Sequence, residues 1–559
     1  MRRFLKVCLG VSIALSLVLA GCNGGESDAR ITSDDSKKGT AEKERGGIEL
    51  TPPGTFPIVK GDPVEITVLV KGDARIEDFQ TNAFTKWYEQ LTNVKVKFEV
   101  APHDSASETL NLRLASGDYP DIIMNMGVSR TQEMIYGQQG VFLSLNDLIK
   151  KQGYYINQMF DEKPEYKEVI TAPDGNIYAI PEVNECYHCS LSVKLWIYRP
   201  WLEKLDLKMP QTIEEFHQVM KAFKEKDPNG NGKQDEIPLA GTTKSWNAEV
   251  EVFLMNSFVN TPPSRMYLDN GKIQLSYMQP GWKQGLKYLH SLYKDGLIAV
   301  ESFTQDGQQI QQLGENPDIP ILGAFAGGWF GVGTEYGGPS GRWKDYTSVP
   351  PLEGPNGRMA VSFPYQILTG KLVITNAAKY PEVAMRWADG FFDQKEVVPR
   401  VNEGVKGEDW KDAEPGMKGI DGRPATRVAI TAYGNLQNNQ WYQSSPSYMS
   451  EDFRLSLAAG DHPEESNEVI LFNQSHDNYE PYRAPLETVV PPLYFTEEQG
   501  TELADIEKTI KDFVDQTIAQ FITGELDIDA EWVKYLETLK GMNVDRLIEI
   551  NQEVYDSKK

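Results

Sequence analysis

The chain is poor in three things that would narrow a function quickly: cysteine, basic charge and long apolar runs. Only four of its 559 residues are cysteine and six are histidine, too few for a disulfide framework. Lys and Arg number 56 against 81 Asp and Glu, a formal net charge of -25. That balance argues against nucleic acid as a partner, because phosphate binding needs clustered cations. The longest apolar run, Val7 to Ala20, is fourteen residues, too short to span a bilayer. No repeat marks an adhesin built of similar modules. No HExxH, phosphate loop or Ser/Cys nucleophile motif stands out either. Acidic pairs are uninformative about a glycosidase, since among 81 carboxylates some pair can always be found.

What is present begins with an address. Arg2, Arg3 and Lys6 precede the apolar run, which ends in Leu19-Ala20-Gly21-Cys22. That order fits a lipoprotein signal over residues 1–21, cut before Cys22, with Cys22 acylated. From residue 22 to about 60 the chain is Gly, Ser, Asp, Lys, Glu and Pro without hydrophobic period, which reads as a disordered tether. The expectation is a folded body held outside the cell at the membrane of a Gram-positive type bacterium.

The body alternates strand and helix. VEITVLV (64–70) is a strand, and the stretch 76–93 carries Phe79, Phe84, Trp87 and Leu91 at helical spacing. VKVKFEV (94–100), a helix near 105–116 and DIIMNM (121–126) follow, so an α/β fold with a mainly parallel sheet is expected. Ligands of open parallel sheets gather beyond the carboxyl ends of the strands. Asp73 and Asn125 lie at two such ends and are candidate ligand contacts. Cys186 and Cys189, in Cys186-Tyr187-His188-Cys189, precede a strand rather than a helix. Local disulfide, structural thiols, cleft lining and metal or redox chemistry all remain open for them.

A helix with N-cap Thr212 and apolar Ile213, Phe216, Val219, Met220 and Phe223 runs into DPNGNGKQDE, residues 227–236. Asp227, Asn229 and Asn231 occupy positions 1, 3 and 5 of a calcium loop, and Lys233 offers its carbonyl at 7. Position 12 is Pro238 rather than Glu, so Asp235 and Glu236 must close the loop early. These hard oxygen donors suit calcium rather than zinc. A strand, not a second helix, leaves the loop, so there is no helix pair to open and calcium would be structural.

Several stretches together carry a resemblance: NLRLASGDYPDIIM, GVFLSLNDLIKK, DGNIYAIP, the long segment from Trp196 to Gly241, VPPLEGPNGR and WVKYLETLKGMNVDRLIEINQEVYD. The chain resembles the LipO-like branch of the family 1 extracellular solute-binding proteins, receptors of ABC importers, whose alginate-oligosaccharide members carry the same short calcium loop. The resemblance implies a two-lobed Venus-flytrap of the type II periplasmic-binding-protein class. It places residues 61–190 and 365–410 in the N-terminal lobe, and 191–364 and 411–559 in the C-terminal lobe. It also implies a monomeric binding protein, not an enzyme, working with ABC permease subunits.

Sugar receptors set aromatic faces against pyranose C–H faces and give hydroxyls to amides and carboxylates. Three tryptophans lie beside Gly or polar loops: Trp246 in TTKSWNAE, Trp329 in FAGGWFGVG and Trp441 in NLQNNQWYQSS. These are the candidate platforms for an oligosaccharide, while Trp87, Trp387 and Trp532 read as packing. A peptide ligand and an anchored polysaccharide-degrading enzyme are the competing functions.

Overall fold

A computed structural model describes residues 48–431 and 436–557. Cys22, the signal segment and the tether up to residue 47 lie outside the described residues. The chain runs through β1 (Val64–Lys71), β2 (Val94–Ala101), β3 (Ile122–Val128) and β4 (Ile180–Asn184) before crossing to β5 (Leu195–Tyr198) and β6 (Ile237–Ala240). A hairpin, β7 (Met266–Asp269) with β8 (Lys272–Leu275), precedes β9 (Leu322–Ala326) and β10 (Tyr346–Ser348). The chain then returns in β11 (Gln366–Ile374), makes a second hairpin of β12 (Trp410–Asp412) and β13 (Arg427–Ala429), and closes in β14 (Ser447–Met449).

Two sheets result. The first is six-stranded in the order β14-β4-β11-β3-β1-β2, and the second four-stranded in the order β10-β5-β9-β6. In the first, β1 pairs parallel to β2 and β3, while β11 runs antiparallel between β3 and β4. β-Branched and apolar residues of β1 and β3, such as Val68, Val70, Ile122 and Ile123, are fully covered because helices pack over both faces. The second sheet carries a larger core around Trp196, Phe216, Phe223, Trp282 and Phe325. Helices Glu497–Thr523, Ile528–Gly541 and Val544–Asp556 extend that core with Ile510, Phe521, Leu539 and Leu547. Among the described residues no helix is long and apolar enough to cross a membrane.

Two expected boundaries move. The tether does not reach residue 60: Leu50 bridges Val59, and Ile58 and Val59 are buried. Arg386 gathers this Pro-rich turn by donating to the carbonyls of Thr51, Pro52 and Thr55 at 2.8, 3.1 and 2.9 Å. Composition had marked the turn as unstructured because its partners lie more than 300 residues away. β14, placed in the C-terminal lobe by the sequence reading, pairs with β4 and belongs to the first sheet.

The first lobe also meets the C-terminal helices away from the sheets. Glu133, on helix Arg130–Gln138, is buried with one carboxylate oxygen 3.5 Å from the Tyr494 hydroxyl, and Arg130 lies over the Tyr494 ring at 4.6 Å. Burial outweighs these partners and pushes the Glu133 carboxyl up to about 7 from 4.5. The folded state therefore holds this proton more tightly than the unfolded chain. Its stabilisation is complete below pH 4.5 and is lost as pH rises through about 7. Glu133→Gln is expected to flatten that fall, so that the variant gains on the parent in denaturation midpoint between these two pH values.

Candidate ligand cleft and oxygen-rich loop

In both sheets the carboxyl ends of the parallel strands lie toward the crossings between lobes, where open α/β sheets bind ligands. On the first lobe β3 ends in an irregularity. Asn125 and Gly127 have φ of +56° and +77°, and the register of β11 slips beside them between Gly370 and Leu372. A left-handed Asn inside a strand is strained. Bulges of this kind re-aim side chains at sites, which makes Asn125 a physically distinguished residue of this edge. Asp73, just beyond β1, accepts hydrogen bonds from Arg75 Nε at 2.9 Å and Nη2 at 2.7 Å. The Arg75 side chain accordingly holds the Asp73 carboxyl below its ordinary range.

On the second lobe, β6 leads into Trp246 and β9 into Gly327-Gly328-Trp329. Trp246 is 42 % exposed, and its carbonyl accepts the Gly328 N–H at 2.8 Å. Its ring lies so close to Gly328 that a Cβ there would be 2.5 Å from it. Gly328 thus admits the indole rather than a ligand, and Gly327 similarly makes room for Val332. Trp329 is half-buried beside the second core. Asn247, with φ of +49°, donates to Ser192 Oγ at 2.9 Å and ties this loop to the crossing.

Trp441 is not a platform. It is fully buried among Phe79, Phe84, Phe98 and Phe391, and its indole N–H donates to Thr85 Oγ1 at 3.0 Å. The polar residues around it are what misled the sequence reading. Gln437 N–H donates to the Arg75 carbonyl at 2.9 Å, and Asn82 donates to the Gln440 carbonyl at 3.1 Å. They dock the segment while Trp441 fills the core.

The loop after helix Ile213–Glu225 is organised by its own carboxylates. Asp227, with φ of +46°, accepts the N–H groups of Gly230, Asn231 and Gly232 at 2.8, 3.0 and 2.9 Å. Asn229 Oδ1 accepts from Asn231 N–H at 3.0 Å, and Asn231 Oδ1 from Lys233 N–H at 2.7 Å. The side-chain amides of Asn229 and Asn231 both turn to Asp235, at 2.8 and 2.9 Å. Glu236 keeps one carboxylate oxygen buried without a hydrogen-bond partner. Burial pushes its carboxyl up, and the charges of Asp227 and Asp235 add to that shift. Among the described residues no side-chain cation bonds the three carboxylates of this loop, and with its two amides they are hard oxygen donors of the kind a divalent cation takes, although the three carboxylates are not drawn within 4.8 Å of one another.

The crossing from β4 to β5 holds the remaining sequence motif. Cys186 and Cys189 are joined as a disulfide, and a 3-10 turn, His188–Leu191, follows. The thiols are therefore spent on each other, although a His188 ring nitrogen lies within 4.8 Å of both sulfurs. His188 Nε2 is 3.6 Å from Glu468, which accepts from Arg454 at 2.9 Å, and Arg454 lies 3.3 Å from Asn184 Oδ1 at the end of β4. Burial opposes ionisation of Glu468, but Arg454 and His188 outweigh it and hold the carboxyl well below the usual range. Nothing in the sequence linked these four residues, which come from three separate segments.

Residues 73–393, more than half of the chain, match the bacterial extracellular solute-binding proteins, and the chain belongs to that family. Members bind solutes rather than transform them. Among curated relatives, the fructooligosaccharide ABC transporter substrate-binding protein FusA of Streptococcus pneumoniae is 28% identical over 488 residues, covering 84% of this chain and 85% of its own. Lipoprotein LipO of Bacillus subtilis is 23% identical over 500 residues, covering 85% and 89%. The structure of FusA in complex with kestose superposes with a TM-score of 0.74 at 24% identity, over 88% of this chain and 99% of that one. A FusA EF-hand mutant with fructo-nystose gives 0.73 at 24% identity, over 88% and 99%.

If the crossing cluster holds the lobes in register, Glu468→Gln should lower the unfolding free energy by about 1–3 kcal/mol, since it strands Arg454. Adding Arg454→Met should recover part of that loss in a denaturant titration. Additive losses would show that the two side chains do not act together.

Proposed function

We propose that this protein is the lipid-anchored receptor of an ABC importer, that it captures an oligosaccharide by closing its two lobes, and that calcium in the 227–236 loop is structural. The observation that carries the ligand class is the exposed indole of Trp246 beside the half-buried Trp329, at the carboxyl edge of the second sheet. Flat apolar faces of this kind suit sugar rings, and Asn125 and Asp73 on the first lobe supply the amide and carboxylate that hydroxyls need. FusA, with its fructooligosaccharide ligand, supports the same class. Contacts from both lobes would favour the closed form, which the permease subunits read without any covalent step. Cys22 would anchor the chain through lipid at the extracellular face of the cell membrane, as the likeness to lipoprotein LipO supports. Nothing in this mechanism requires more than one copy of the chain.

For calcium, Asp227, Asn229, Asn231, Asp235 and Glu236 would supply side-chain oxygens and Lys233 its carbonyl. The bound cation would draw together and offset the three carboxylates of the loop and nothing more. The helix entering this loop and the strand leaving it are both packed, so its effect falls on stability. EDTA is expected to lower the melting temperature while ligand still binds at moderate temperature, and Asp235→Ala should abolish the calcium response. Loss of ligand binding at unchanged stability would contradict a structural role.

Thermal-shift measurements on residues 49–559 against oligosaccharide and peptide panels test the ligand class. Fructo-oligosaccharides or another neutral glycan series should raise the melting temperature. Trp246→Ala should weaken that binding roughly 10- to 100-fold by calorimetry. A response confined to peptides, or release of product from a bound glycan, would overturn the reading.

A further inference from the structure

Beside β14, and lined by neither Trp246 nor Trp329, the first lobe carries an open groove of about 610 Å³, within the range of roughly 300–1,000 Å³ typical of small-ligand sites. Trp410 and Arg427 form its floor, Phe453 one wall, and Arg423, Asp421 and Asp452 its rim. The floor is rigid. Arg427 is 4 % exposed, donates to both carboxylate oxygens of Glu403 at 2.7 Å, and stacks 3.7 Å from the centre of the Phe453 ring. The Trp410 indole N–H donates to the Gly404 carbonyl at 3.0 Å. On the rim, Arg423 bonds Asp421 and reaches Asp452 at 2.8 Å.

The charged residues lining the groove balance, Lys395, Arg423 and Arg427 against Asp412, Asp421 and Asp452, and both arginines are already paired with carboxylates, so the groove has no net charge with which to select an anion. What it presents is aromatic surface together with planar, paired donors and acceptors. That combination suits an uncharged polyhydroxylated chain. Its position links it to the cleft. Ser450, at its inner end, follows the last residue of β14, which pairs with Asn184 at the carboxyl end of β4. The main-chain N–H of the next residue, Glu451, donates to Glu185 at 2.7 Å, so this end of the groove is fastened to the β4–β5 crossing.

We propose that the groove is an outer subsite that takes the trailing units of a neutral oligosaccharide whose leading units occupy the cleft, so that the receptor selects for chain length. The inference rests on the oligosaccharide reading above and adds to it a second place of contact. Isothermal titration of the full chain with kestose and with long inulin-type fructans tests it. The parent should bind long chains about tenfold more tightly than the trisaccharide. The double variant Arg423→Ala/Asp421→Asn, which removes both charges of that ion pair together and leaves only the well-exposed Asp452 carboxylate to water, should lose that gain while binding kestose as before. Thr426→Trp, which fills the groove from its exposed rim, should do the same at unchanged melting temperature. Equal affinity for short and long chains, or equal weakening of both by the double variant, would overturn the outer subsite and leave the cleft reading intact. If the parent binds none of these fructans, the same comparison of short and long chains is made with the neutral glycan series that raises its melting temperature, and failure with every series would overturn both.

Discussion

The arrangement of this receptor depends on one small ionic cluster at the junction of its lobes. Glu468 sits between Arg454 and His188, and Arg454 in turn reaches Asn184. These residues come from the end of one sheet, the turn that leaves it, and two later segments. A carboxylate held by an arginine and by a histidine whose protonation burial disfavours is stable only while all partners keep their positions. The disulfide between Cys186 and Cys189 shortens the freedom of the same turn. The sheets that carry Asn125 and Trp246 therefore meet at a junction built from other residues.

From that junction the two facing sheet edges diverge in character. The second lobe offers indoles, placed by glycines that give up their own space to them. The first offers a strained strand end and a carboxylate already engaged with Arg75. One side is suited to ring faces and the other to hydroxyls, a division that favours ligands with both.

Much of this was legible in the sequence because it depends on local signals. The helix before the oxygen-rich loop showed its Thr212 cap and its apolar spacing, and the observed helix begins at Ile213 with Thr212 accepting from Glu215 N–H. The loop itself was readable because its donors lie within ten residues. What escaped was set by distant partners. Trp441 stood among Asn and Gln, and only the tertiary contacts of those amides show that they dock the segment while the indole is buried. Residues 49–60 looked like tether until Arg386 was seen to collect their carbonyls. β14 is three residues long, too brief to announce itself, yet it extends the first sheet and carries the chain back across the junction.

The exposed indole of Trp246 has an optical consequence. Trp196, Trp282, Trp387 and Trp441 are sealed in the cores, so their emission is a blue, steady background. Trp246 alone among these five meets water over a large part of its ring, and its light reports on whatever displaces that water. The protein thus carries, in the loop after β6, its own optical label for that face of the second lobe.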